Sequence, residues 1–156
     1  VVNLEESPNH AHSAVLGRVS ALRGEMRVIS GNRDRWLTSF VVEPSEPVLV
    51  GHFPGYPIMP GVCLFECAHR TASMLLDELR DRARPPARLA GIHSARFRSP
   101  VFPGDDVLTE VSAVADGHDW RCAARLIVRR DDPAEAPEVA VFRLRYRTGG
   151  HGAGRS

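Results

Sequence analysis

Apolar and polar positions change period several times along this chain, and each change marks an element. From Ala14 to Ser30 small apolar and polar residues alternate, as in Val15, Gly17, Val19 and Ala21, which predicts a strand. A β-branched and aromatic run from Arg35 to Val42 predicts a second. Pro44 and Pro47 interrupt it, and a short apolar run to Val50 leads into a loop, His52 to Gly61, with prolines at 54, 57 and 60. Each proline fixes its own φ and restricts the residue before it, so this loop is expected to be stiff.

The period then becomes helical. Phe65, Ala68, Ala72, Leu75, Leu76 and Leu79 recur at spacings of three and four and predict one long helix over Gly61–Arg84. Asp77, Glu78, Arg80 and Asp81 lie largely off that stripe. Arg80, Arg82 and Arg84 would sit at the negative end of the helix dipole, and Pro85 and Pro86 stop the element. At ~1.5 Å per residue it would be about 35 Å long. Four period-two segments follow: Arg88–Phe97, Val107–Ala115, Trp120–Arg129 and Val139–Tyr146. Pro103-Gly104-Asp105, Asp116-Gly117 and the stretch 131–137 supply the turns between them. Strands before and after one long helix predict an α+β fold, an antiparallel sheet packed on that helix. Residues 1–148 are expected to form a single domain, with a disordered glycine-rich tail over 149–156.

Composition narrows the function. No apolar run approaches the ~20 residues of a membrane span. The 20 basic and 19 acidic residues of the 156 nearly cancel, which gives no bulk electrostatic case for nucleic acid. All the basic residues are arginine, which excludes a lysine Schiff base or a lysine general base. Cys63, Cys67 and Cys122 are too few for a disulfide framework, and no secretory leader opens the chain, so a reducing cytoplasm is the expected location.

Chemistry concentrates in Gly51 to His69, GHFPGYPIMPGVCLFECAH. His52 opens the stiff loop, Gly61 enters the helix nine residues later, and Glu66 lies five residues further on. A helix N-terminus offers unpaired N–H groups and the positive end of a dipole. At Gly61 no side chain bars a carbonyl oxygen from that N–H, so the position suits stabilisation of a developing oxyanion. An imidazole accepts a proton near neutral pH, and a carboxyl inside an apolar helix start is pushed towards an acid's role. These parts suit removal of a proton beside a carbonyl with help to a leaving oxygen better than they suit a serine or cysteine nucleophile. Each residue also has a structural reading: His52 as a loop residue, Glu66 as a dipole partner, the prolines as a turn.

The full pattern His52-Phe53-Pro54-Gly55, Pro57, Met59-Pro60-Gly61-Val62 and Glu66 resembles the signature of the β-hydroxyacyl-acyl-carrier-protein dehydratases of fatty acid synthesis, the FabZ type. Leu89-Ala90-Gly91-Ile92, Ala95 to Val101 and Pro103-Gly104-Asp105 resemble that family's second block. The resemblance implies a hotdog fold, a curved antiparallel sheet wrapped around the long helix, and pairing of two subunits edge to edge. It implies that His52 removes the C2 proton and that Glu66, from the other subunit, protonates the leaving C3 hydroxyl. Gly61 would hold the thioester carbonyl, and Val62 would line the substrate site beside it. The product would be a trans-2-enoyl thioester and water, with the substrate borne by an acyl carrier protein and no resident cofactor or metal.

Two departures point to a specialised relative, of a polyketide pathway for example. The family's N-terminal P-H-R-x-P-F-L-L-V-D is matched only faintly by Pro8 to Val19, with Arg18 where the Asp belongs. After the acid the family has E-A-M-A-Q, and this chain has Glu66-Cys67-Ala68-His69-Arg70. Arg70 is expected to turn away from Glu66, to the surface or to a carboxylate of the facing subunit. Rival readings are a hotdog thioesterase and a non-catalytic subunit of a heterodimeric dehydratase. Cys63, Cys67 and His69 do not converge as metal ligands on a helix, and the cysteines read as buried packing. His10 and His12 read as tag-like or structural rather than as ligands, and His93 lines the tunnel or faces solvent. Arg82, Arg84, Arg88, Arg96 and Arg98 form either a basic rim that steers an acidic carrier or an ordinary solvated surface.

Overall fold

Alternating segments separated by tight turns can satisfy their backbone only by pairing, and here they pair into one antiparallel sheet. The computed structural model describes residues 22–50, 55 and 57–149. Strands β1 (Met26–Gly31) and β2 (Arg35–Val41) precede a single helical turn, α1 (Pro47–Val50), and the long helix α2 (Gly61–Leu79). Strands β3 (Arg88–Phe97), β4 (Asp106–Asp116), β5 (Asp119–Val128) and β6 (Glu138–Arg147) follow. The strand order is β1-β2-β4-β5-β6-β3, every neighbouring pair antiparallel. The chain therefore leaves β2, crosses on α2 to the far edge at β3, and returns to the middle at β4. This is the expected α+β hotdog arrangement, with α2 lying against β4, β2, β5 and β6.

Period two on the sheet and period 3.6 on the helix meet in the core. Phe40, Val107, Val111, Ala124, Leu126, Phe142, Leu144 and Tyr146 face Cys63, Cys67, Ala68, Ala72 and Leu75, all nearly or fully buried. Small residues on that helix face let α2 approach the sheet closely. A polar tie joins α2 to β2 across the core: the Thr38 and Thr71 hydroxyls lie 2.8 Å apart, and Thr71 donates to the Cys67 carbonyl.

Two boundaries differ from expectation. The helix ends at Leu79 rather than Arg84, and Arg80 is already extended at φ −68°, ψ 136°. Its guanidinium donates to Asp77 and to the Arg84 carbonyl, so arginine side chains bridge a turn here instead of decorating a last helical turn. Within the described part of Ala14–Ser30, only Met26 onward is strand. The expectations for residues 1–21, including His10, His12 and Pro8 to Val19, lie outside the described residues. So do those for 51–54, which include His52, and for the tail from 150 on.

Candidate active site

The helix entrance is built by two distant stretches of sequence. Pro60 occupies the N-cap in an extended conformation, and its carbonyl accepts from the Cys63 N–H at 2.9 Å. One residue earlier, the Met59 N–H donates to the Val101 carbonyl at 2.8 Å, and Met59 itself is buried. The turn at Pro103-Gly104-Asp105 is locked in turn: the Asp105 carboxylate accepts from the Phe102 N–H, and Gly104 adopts φ +89° and donates to the Val42 carbonyl. At the end of β3, the Phe97 ring lies over Gly61, where a Cβ would come within 2.9 Å of it. The two sequence blocks thus meet at the start of α2.

Gly61, the first residue of α2, has no intrahelical acceptor for its N–H. Val62 is 64% exposed and Phe97 55% exposed beside it, an apolar rim around a polar donor. Glu66 lies in the second turn with its side chain 16% exposed. Contrary to expectation, Arg70 does not turn away from it. Nε and Nη2 of Arg70 donate to the same carboxylate oxygen of Glu66, at 3.1 and 2.7 Å. The acid-first i,i+4 order that favours pairing prevails.

The neighbouring thiols are buried. Burial, then the charges of Glu66 and Glu46, push the Cys63 thiol up to about 11, against an opposing effect of Arg70. Cys67 and Cys122 are also raised, by burial foremost. All three are buried free thiols, and a thiol needs its thiolate form to attack. His69, for which sequence reasoning assigned no partner, hydrogen-bonds through Nδ1 to the Tyr146 hydroxyl at 2.8 Å. No group of three or more His, Cys, Asp or Glu side chains suited to a metal occurs among the described residues.

Other candidates fall elsewhere. His93 is exposed and lines a groove of about 520 Å³ together with Arg121, Arg143 and Arg145, side chains on the sheet face away from α2. The five arginines do not make one rim. Arg82, Arg84 and Arg88 gather where α2 ends, whereas Arg96 and Arg98 lie at the other end of β3, a strand of about 33 Å.

A model of the ApeI-like dehydratases matches residues 28–127. The chain belongs to the ApeI-like dehydratase family. Curated relatives agree. A FabZ 3-hydroxyacyl-[acyl-carrier-protein] dehydratase of Solibacter usitatus is 33% identical over 74% of this chain and 82% of its own length. One from Thermus thermophilus is 36% identical over 74% of this chain and 83% of its own. Among solved structures, the dehydratase heterocomplex ApeI:P of Xenorhabdus doucetiae superposes with a TM-score of 0.62 at 17% identity, covering 79% of this chain and 98% of the other. That likeness confirms the fold. Within the family, the match spans the helix entrance and Glu66 together.

Proposed function

We infer that this chain dehydrates a (3R)-hydroxyacyl thioester to a trans-2-enoyl thioester, in fatty acid or polyketide synthesis. The observation that carries the reading is the joined helix entrance: the Gly61 N–H without an intrahelical acceptor at the start of α2, Glu66 one turn beyond, and the second family block packed against it through Phe97 and Val101. The thioester carbonyl would accept from the Gly61 N–H, which stabilises the enolate as the C2 proton leaves. His52 would take that proton as a neutral imidazole. In its protonated form Glu66 would give a proton to the C3 hydroxyl as the C–O bond breaks and water leaves, so the two groups exchange roles in the reverse hydration.

An acyl carrier protein is the proposed bearer of the substrate. The proposed assembly is a dimer, with itself or with another hotdog subunit, because Val62, Ile92 and Phe97 are large apolar side chains left exposed along β3 and the helix entrance. The proposed location is the cytoplasm, where free thiols stay reduced. Raised thiols beside Glu66 speak against a cysteine-based thioesterase.

The test is turnover of a (3R)-hydroxyacyl thioester followed by mass spectrometry. Loss of 18 mass units without thiol release is expected, a figure that is simply about the mass of one water. His52→Ala and Glu66→Gln should each lower kcat by ~10²–10⁴ while remaining folded. Thiol release by the parent chain, or parental turnover in both folded variants, would overturn the reading.

A further inference from the structure

Arg70 stands where the resembling family has glutamine, and its guanidinium does more than meet Glu66. Nη2 also donates to the Leu22 carbonyl at 2.9 Å, ahead of β1. Leu22 is 3% exposed, so this carbonyl is held at a buried point. The next two backbone N–H groups, of Arg23 and Gly24, donate to the buried Glu46 carboxylate at 3.0 and 2.5 Å. Residues 22–24 are therefore clasped from two sides, by Arg70 on the helix and by Glu46 just before α1. A glutamine at position 70 is shorter, uncharged and carries a single NH₂ donor group, so it cannot span Glu66 and the Leu22 carbonyl as a planar guanidinium does.

We propose that Arg70 is a positioning residue: one guanidinium registers the Glu66 carboxyl to the backbone of residues 22–24, so that acid and segment hold or shift together. The inference rests on the reading of Glu66 as the residue that serves the C3 hydroxyl. Both Arg70 donors engage one oxygen, Oε1, which ties that oxygen to the guanidinium. The side chains are 20% and 16% exposed, so the pair is partly shielded from water and salt. Misplacing a reacting group by about 1 Å costs up to ~10²-fold in rate, which is the scale on which such a clasp acts.

The experiment combines turnover with amide exchange on the full chain. Arg70→Met should lower kcat about tenfold or more with KM changed less than about twofold, because substrate binding is left intact. Arg70→Lys keeps the charge without the fork and should fall between Met and the parent. In a Glu66→Gln background, followed with excess enzyme, Arg70→Met should add less than about twofold, since its effect passes through Glu66. Independently of turnover, Glu66→Leu should speed hydrogen exchange at the Arg23 and Gly24 amides at least about threefold, because coupling is reciprocal. Parental kcat in a folded Arg70→Met, or in Arg70→Lys where the Met variant does not fold, overturns the proposal. So does an undiminished Arg70→Met effect without Glu66, or exchange at residues 23 and 24 indifferent to Glu66→Leu. Parental kcat in Glu66→Gln would instead refute the catalytic reading itself.

Discussion

His69 stacks almost parallel to Phe65 and Tyr146, with ring centroids 5.9 and 5.8 Å away, while its Nδ1 meets the Tyr146 hydroxyl. Burial lowers its pKa below the ordinary 6.5; the Glu66 charge opposes that shift and Arg70 reinforces it. The folded chain thus holds this ring neutral where the unfolded chain binds a proton. Stability from this group is present above pH 6.5 and is lost as pH falls below it, down to the depressed folded value. His69→Gln should flatten that acid-side slope in urea unfolding followed from pH 7 downwards; an unchanged slope would assign it to other groups. At this scale the sequence was only partly legible. Glu66 and Gly61 stand out through their spacing, but His69 finds a partner 77 residues away, which no local pattern reveals. The i,i+4 spacing of Glu66 and Arg70 did announce their pairing. Expecting Arg70 to turn away to the surface or to a facing carboxylate underrated that local pairing.

Among the elements, α2 and β3 meet where the chemistry is placed, with Phe97 lying over Gly61 and edge-on to Phe142. A methyl group at position 61 would press on the far end of the Phe97 ring, which is half exposed and able to swing. Gly61→Ala gains only a fraction of the ~1 kcal/mol by which alanine beats glycine in a helix interior, because position 61 is the first of α2, against that displacement. The expected result is a melting temperature close to the parent's with kcat/KM reduced about tenfold or more, because methyl and ring both crowd the N–H. Unchanged kcat/KM would remove Gly61 from the oxyanion role. Element starts were well marked by chemistry: Gly61 opens α2 and Arg88–Phe97 is a strand as the alternation implies. The end of α2 was not, because arginines before a proline pair read equally well as a helix terminus and as the side-chain-bridged turn that forms.

As a whole molecule, the chain presents one copy of each proposed group and an apolar rim at β3. If two subunits complete a site, inactive His52→Ala and Glu66→Gln chains should regain up to about a quarter of parental activity when exchanged, since random pairing makes half the dimers mixed and each keeps one intact site. No recovery after exchange shown by native mass spectrometry would place both residues in one chain. The strand order carries a consequence for synthesis. β3 is made early, yet its only strand neighbour among the described residues is β6, the last of the six. Until β6 has left the ribosome, Ile92 and Phe97 lie on a strand with nothing to pair with, and β5 has an open edge of its own. Closure of this edge therefore waits on synthesis of β6, and the pairing that then forms carries register shifts around Ala90 and His93.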